Sequence, residues 1–439
     1  MPLRFTSMHC SYRLVAWAMF VGSGLGLGGC CLTTVSGGTG NYLTGTGGVS
    51  GTTSTSATGG GSTTGTRRAT SSGGFVCDDT PANLSNVATY SLLPLAEPVS
   101  ADLNGDGLLD LVVLRVPDVI TQPPTLPAAP GLEVFLALSD GGLGAPTEYP
   151  ETDSQAVAVG DLNGDGAPDV VVSNQAAIQI LLNGGSGTLT PLPPINLPGV
   201  SDIEYLGIAD FNGDGLADIV VNENAYAGGQ TLAILFAQSP VVFSQPSVVS
   251  LIGGGLSSSL LVSDLNQDGL PDIVVNSSDG SLAVYLNQGD GGFKATLYPV
   301  IAAWQLISVP RAGGGPDLVF GLASSPGGLQ LLKNLGDGSF SVGPVYPVAA
   351  LWLSVGDFNG DCIPDIVTLQ GAACPTGPSN VFVLYGDGDG GFEAPVTLPS
   401  PEHANQGIAL LGEVTDPRAF GVVDACGIGV AVYGDTIKK

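Results

Sequence analysis

From residue 95 onward, short apolar runs alternate with polar, glycine-rich turns. The clearest runs are Leu111–Leu114, Val170–Ser173, Ile219–Asn222, Ile273–Asn276 and Ile366–Leu369. Each is four residues long and mostly β-branched, which suits a short strand. No stretch repeats its apolar positions at helical spacing. The pattern predicts many short strands joined by tight turns, an all-β chain.

Each of these runs follows a nine-residue polar segment of one design. The segments start at Asp102, Asp161, Asp210, Asp264 and Asp357. Two degenerate copies share the frame: Val309–Asp317, which keeps only the last Asp, and Glu413–Gly421, which keeps almost nothing. Successive starts lie 45 to 59 residues apart, the length of a propeller blade. Within each repeat, strand a ends at the first Asp and strand b is the run after the ninth position. Strand c falls at residues 131–138, 178–183, 231–237, 281–287, 329–334, 381–386 and 428–433, and strand d leads onward. The expectation is a seven-bladed β-propeller of four-stranded antiparallel blades. The seventh repeat ends after strand c, and residues 84–93 resemble a d strand. The last blade is therefore expected to be closed by this N-terminal strand.

Composition divides the chain of 439 residues in two. Residues 1–74 hold four Arg and no acidic residue, although the whole chain has 39 Asp and Glu against 11 Lys and Arg. Residues 1–29 read as a signal peptide: Arg4 and Arg13, then an apolar stretch too short for a membrane span. It ends in Leu27-Gly28-Gly29-Cys30, which resembles a bacterial lipobox and marks Cys30 for lipidation. Residues 30–76 are rich in Gly, Ser and Thr and read as a flexible tether. Residues 77–439 are the propeller. The chain is expected in a bacterial cell envelope, lipid-anchored, at the outer membrane or cell surface. Its membrane contact would be that N-terminal lipid alone. The net charge of −28 argues against nucleic acid as a partner.

The polar segments carry the chemistry. Positions 1, 3, 5 and 9 are Asp, Asn, Asp and Asp in all five full copies. Gly at positions 4 and 6 allows the left-handed backbone that so tight a turn needs. Side-chain oxygens at positions 1, 3, 5 and 9, with the carbonyl of position 7, form an all-oxygen set suited to Ca²⁺. The candidate ligands are Asp102, Asn104, Asp106, Leu108 and Asp110; Asp161, Asn163, Asp165, Ala167 and Asp169; and Asp210, Asn212, Asp214, Leu216 and Asp218. The other two sets are Asp264, Asn266, Asp268, Leu270 and Asp272, and Asp357, Asn359, Asp361, Ile363 and Asp365. About five structural calcium ions are expected, with affinities of about 10⁻⁴–10⁻³ M. Gln267 at position 4 and Cys362 at position 6 replace Gly and should weaken their sites. Arg311 is expected to put its own charge where the fifth repeat lacks an ion. Position 2 is always Leu or Phe and reads as a core anchor.

Five such motifs at blade spacing resemble the FG-GAP/VCBS repeat family, relatives of the integrin α-chain propeller. The segments that name the family are partial here, Leu143-Gly-Ala-Pro146 and Phe392-Glu-Ala-Pro395. The resemblance spans about residues 77–439. It implies calcium in the a–b loops and adhesion or ligand binding, and it does not fix the ligand.

No catalytic constellation is visible. His9 and His403 are the only histidines, and no P-loop, GxSxG or HExxH occurs. Tyr205, Trp304 and Trp352 each lie five residues before a motif start. They read either as an aromatic ligand-binding mouth or as packing between blades. Four Cys follow residue 74, an even number in an exported protein. The blade frame puts Cys374 and Cys426 in b–c turns on one face, and Cys362 and Cys77 toward the other. The expected bridges are Cys77–Cys362 and Cys374–Cys426. The leading function is a tethered module binding an extracellular protein or glycan. The alternatives are a glycan-active extracellular enzyme or enzyme accessory, and a purely structural envelope component.

Overall fold

The computed structural model describes residues 69–70, 76–77, 84–91, 95–115, 131–150, 154–174, 176–200, 203–225, 229–249, 251–252, 257–277, 280–300, 303–311, 314–322, 327–348, 350, 352–370, 380–398, 404–413, 416–424 and 429–435. The expected signal peptide, the Cys30 lipidation site and nearly all of the tether lie outside these residues. Cys374 and Cys426 do as well.

The described residues form an all-β propeller of four-stranded antiparallel blades. In the second repeat the order is Ser154–Gly160, Asp169–Asn174, Ala177–Asn183 and Leu189–Pro191; Ile195–Asn196 also pairs with the third strand. Four further repeats each give one four-stranded sheet, with a strands starting at Ile203, Ser257, Ala303 and Trp352. The count of large sheets is six, where the repeats predicted seven separate ones. The reason is the length of strand Ala404–Glu413. At ten residues its end pairs with its own partner and also ladders onto the first repeat, pairing Gly412 with Leu109 and Glu413 with Leu108. The result is one eight-stranded sheet. Leu84–Ser91 lies at its far edge, antiparallel to Gly429–Asp435.

The b strands form continuous apolar runs because each is sandwiched between two neighbouring sheets. Val170, Val171 and Val172 are all fully buried. Alternation still operates, but it sorts them between two cores. Val170 and Val172 pack with Val112, Leu114 and Leu132 of the first repeat, and Val171 packs with Ile208, Ile219 and Val221 of the third. The same division recurs from the third repeat to the fifth. The position-2 anchors Leu103, Leu162, Phe211, Leu265 and Phe358 are 0–2% exposed. The a–b loop is thereby pinned to the core from its second residue.

Candidate site at the a–b loops

Each full loop folds around the carboxylate at position 1. In the first, Asp102 Oδ1 accepts from the N–H of Gly105 at 2.7 Å and of Asp106 at 3.1 Å, while Oδ2 accepts from Gly107 at 2.9 Å. Asn104 Oδ1 accepts from Asp106 N, and Asn104 Nδ2 donates to Asp106 Oδ2 at 3.0 Å. Asp106 Oδ1 accepts from Leu108 N. The loops of Asp161, Asp210 and Asp357 repeat this design. Positions 1, 3 and 5 are thus brought together.

Position 9 has a second task. Asp110 is fully buried. Its Oδ2 accepts from Leu103 N at 2.9 Å and its Oδ1 from Ala137 N at 2.7 Å. The carboxylate therefore ties position 2 of the loop to the end of strand c. Asp169, Asp218, Asp272 and Asp365 make the same two bonds. Among the described residues, no three His, Cys, Asp or Glu side chains converge as a metal group.

Burial pushes these carboxyls up, and the carboxylates at positions 1 and 5 push the same way against the two N–H bonds. Asp110, Asp169, Asp218 and Asp272 are raised to about 6 and Asp365 to about 8. A folded-state pKa raised above its unfolded value favours folding at low pH and loses that benefit as pH rises through the folded value. Without a cation, the melting temperature should therefore fall from about pH 4 to about pH 6, and on to about pH 8 through Asp365. Calorimetry in EDTA across that range checks this, and a melting temperature that rises with pH would contradict it.

The two substituted loops show the expected strain. Gln267 has φ 60° and Cys362 φ 69°, in the left-handed region that disfavours side chains. In the loop of Asp264 the bond from position 4 to the first carboxylate is not formed. Gln267 Nε2 instead donates to Gly314 O of the next repeat at 2.7 Å. In the degenerate fifth loop, Asp317 keeps its bond from Asn334 N, and Arg311 stands 3.7 Å from Asp317 Oδ1. The charge substitution expected at Arg311 is present.

Tyr205 and Trp352 are placed differently from a surface mouth. Tyr205 is 0% exposed, packed with Phe211, Leu260 and Val275, and Trp352 is 8% exposed. Tyr205 follows a register shift after Ile203, as do residues near the same point in five other a strands. Such bulges re-aim side chains, which a count along the strand does not reveal. The Trp304 side chain lies outside the described residues. Cys362 is disulfide-bonded. Its expected partner Cys77 is described only in its backbone, where it pairs with Ala69.

Two links between repeats escaped the sequence reading. Asn183, at the end of a c strand, donates Nδ2 to Leu103 O of the preceding repeat at 2.8 Å and to Pro168 O of its own at 3.0 Å. Asn287 and Asn334 do the same toward Phe211 and Leu265. On the outer strands, Tyr149, Tyr298 and Tyr346 accept at their hydroxyls from Leu189, Phe340 and Phe392 of the following repeats. The recurring Asn after an apolar c strand was the available signal for the first link.

The repeat family described as FG-GAP-like repeat matches residues 102–172, 161–221 and 264–309. No curated protein sequence matches the chain. Among solved structures, BBS1N in complex with ARL6DN is similar with TM-score 0.52 at 15% identity, covering 81% of this chain and 96% of that one. A lectin of Agrocybe aegerita, solved for its recognition of non-reducing terminal N-acetylglucosamine, is similar with TM-score 0.50 at 18% identity. It covers 76% of this chain and 94% of its own. At these identities the likeness is one of fold.

Proposed function

We propose that this chain with FG-GAP-like repeats is an exported, calcium-stabilised propeller that binds an extracellular protein or glycan and carries out no reaction on it. The observation that carries the reading is the repeated loop motif on a rigid propeller scaffold. Two neighbours of the same fold support it, one solved with a bound protein and one solved for glycan recognition. In this reading the eight-stranded sheet acts as two blades, so that seven blades close the ring. Pairing of Leu84–Ser91 with Gly429–Asp435 supports a latch between the two ends of the chain.

Calcium fits the donor set. Every candidate ligand is an oxygen, and the bonds to N–H groups leave carboxylate lone pairs free for a cation. Positions 1, 3 and 5 would hold the ion with the position-7 carbonyl, and position 9 would hold the loop around it. The ion supplies charge neutralisation for carboxylates that otherwise repel one another. Export to an oxidising compartment is supported by the disulfide at Cys362. Lipidation at Cys30 would tether the propeller through residues 30–76 to the envelope.

Screening the purified chain against a glycan array and extracellular proteins, with a hydrolysis assay on each glycan retained, tests the reading. Capture without turnover is expected. Turnover of a retained glycan would make the chain an enzyme instead.

A further inference from the structure

The fifth a–b loop has lost its acidic set, and a cavity of about 320 Å³ opens beside it. Its walls come from two repeats. The fifth contributes Val309, Pro310, Arg311 and Asp317, and the sixth contributes Ile363, Pro364, Phe392 and the turn Gly388–Gly391. The side chain of Arg311 is 44% exposed; its guanidinium gives one hydrogen bond, to Asn334 O at 3.1 Å, beside its ion pair with Asp317. Four of its five N–H donors therefore remain for a ligand. Asp389 is exposed, and its carboxylate bonds no group among the described residues; only its N–H is used, toward Asp387. Near the same turn, a Cβ at Gly390 would meet Lys333 Nζ and Asp317 Oδ2 at 3.9 Å each.

The cavity carries one cation, Arg311, paired with Asp317, and a second carboxylate, Asp389. It offers a planar donor fork on one rim, a lone acceptor on the other, and apolar prolines, Ile363 and Phe392 between them. Adjacent hydroxyls on a ring can accept from a guanidinium and donate to a carboxylate, while the ring's C–H face lies on an apolar wall. We infer that this cleft between the fifth and sixth repeats binds one neutral saccharide unit, held between Arg311 and Asp389. The inference rests on the binding-module reading and names its site and ligand class.

Saturation-transfer NMR on the full chain in calcium, with glucose, galactose, mannose and N-acetylglucosamine as probes, tests it. Acetate and inorganic phosphate serve as anionic controls. At least one sugar should bind. Asp389→Ala, which removes an exposed side chain, should weaken that sugar about tenfold or more, the cost of one charged hydrogen bond. Its melting temperature should not change. Arg311→Gln should do the same to binding. Sugar binding that survives both substitutions would overturn the cleft while leaving the propeller a binding module. Binding of the anions alone would overturn the ligand class. Failure of all six probes would overturn the inference, and capture of a protein in the wider screen would still sustain the general reading.

Discussion

Adding calcium to the metal-free chain should raise its stability by several kcal/mol. A ligand that binds only the folded state stabilises it by RT ln(1 + [L]/Kd). With Kd of about 10⁻⁴–10⁻³ M and about 10 mM calcium, each loop contributes about 1.4–2.7 kcal/mol. Five loops unfolding together would give roughly 7–13 kcal/mol. The left-handed Gln267 and Cys362 pull the sum toward the lower end. The fifth repeat should add nothing, because Arg311 already faces Asp317. Urea denaturation in EDTA and in calcium measures the difference, with magnesium as the control for plain ionic strength. Equal midpoints in EDTA and calcium would remove the metal from the account. The gain should also grow from about pH 5 to about pH 8, as Asp365 and its four counterparts are driven to ionise.

Much of the fold was legible because the signal was repeated. One loop of Asp, Asn and Gly is a weak clue, but five at blade spacing fix the frame within which each strand can be found. The burial of Leu103, Phe211 and Phe358 followed from their constant place beside an Asp. Arg311 was legible for the same reason, as a cation at a position where its counterparts are Asn. The departures arise where local geometry leaves the repeat. Strand Ala404–Glu413 is longer than its counterparts and fuses two sets of strands. Tyr205 sits just past a bulge, and its ring goes into the core rather than to a mouth. A strand's extra length does not change the alternation of residue types, and in strands buried on both faces the phase shift of a bulge leaves no mark in it.

The ninth Asp was assigned to metal, and its structural task was hidden for a different reason. Its partner on strand c is a backbone N–H, which has no residue identity to notice. The position carries Ala137 or Ala237 in some repeats and Asn183, Asn287 or Asn334 in others. Where it is Asn, the side chain goes further and bonds the preceding repeat, so one residue links blade to blade through groups the loop exposes at its base.

That task makes a prediction separate from metal binding. Asp218→Ala should destabilise the chain by about 2–5 kcal/mol, and it should do so in EDTA as well as in calcium. The substitution leaves the N–H groups of Phe211 and Ala237, which now donate to Asp218 at 2.9 and 2.7 Å, buried without acceptors. Each orphaned buried donor costs about 1–3 kcal/mol. Release of the raised carboxyl offsets part of this near neutral pH, so the loss should be largest in acid, where the native group is protonated at little cost. A residue that only ligated calcium would behave oppositely. Its removal would be silent in EDTA and visible in calcium alone. Asp214→Ala supplies that contrast, since Asp214 lies exposed in the same loop and, among the described residues, its side chain bonds only Asn212 Nδ2 and Leu216 N. Denaturation of both variants with and without calcium gives four midpoints. If Asp218→Ala tracks Asp214→Ala in being silent without metal, the clamp has no weight of its own and position 9 is a ligand first.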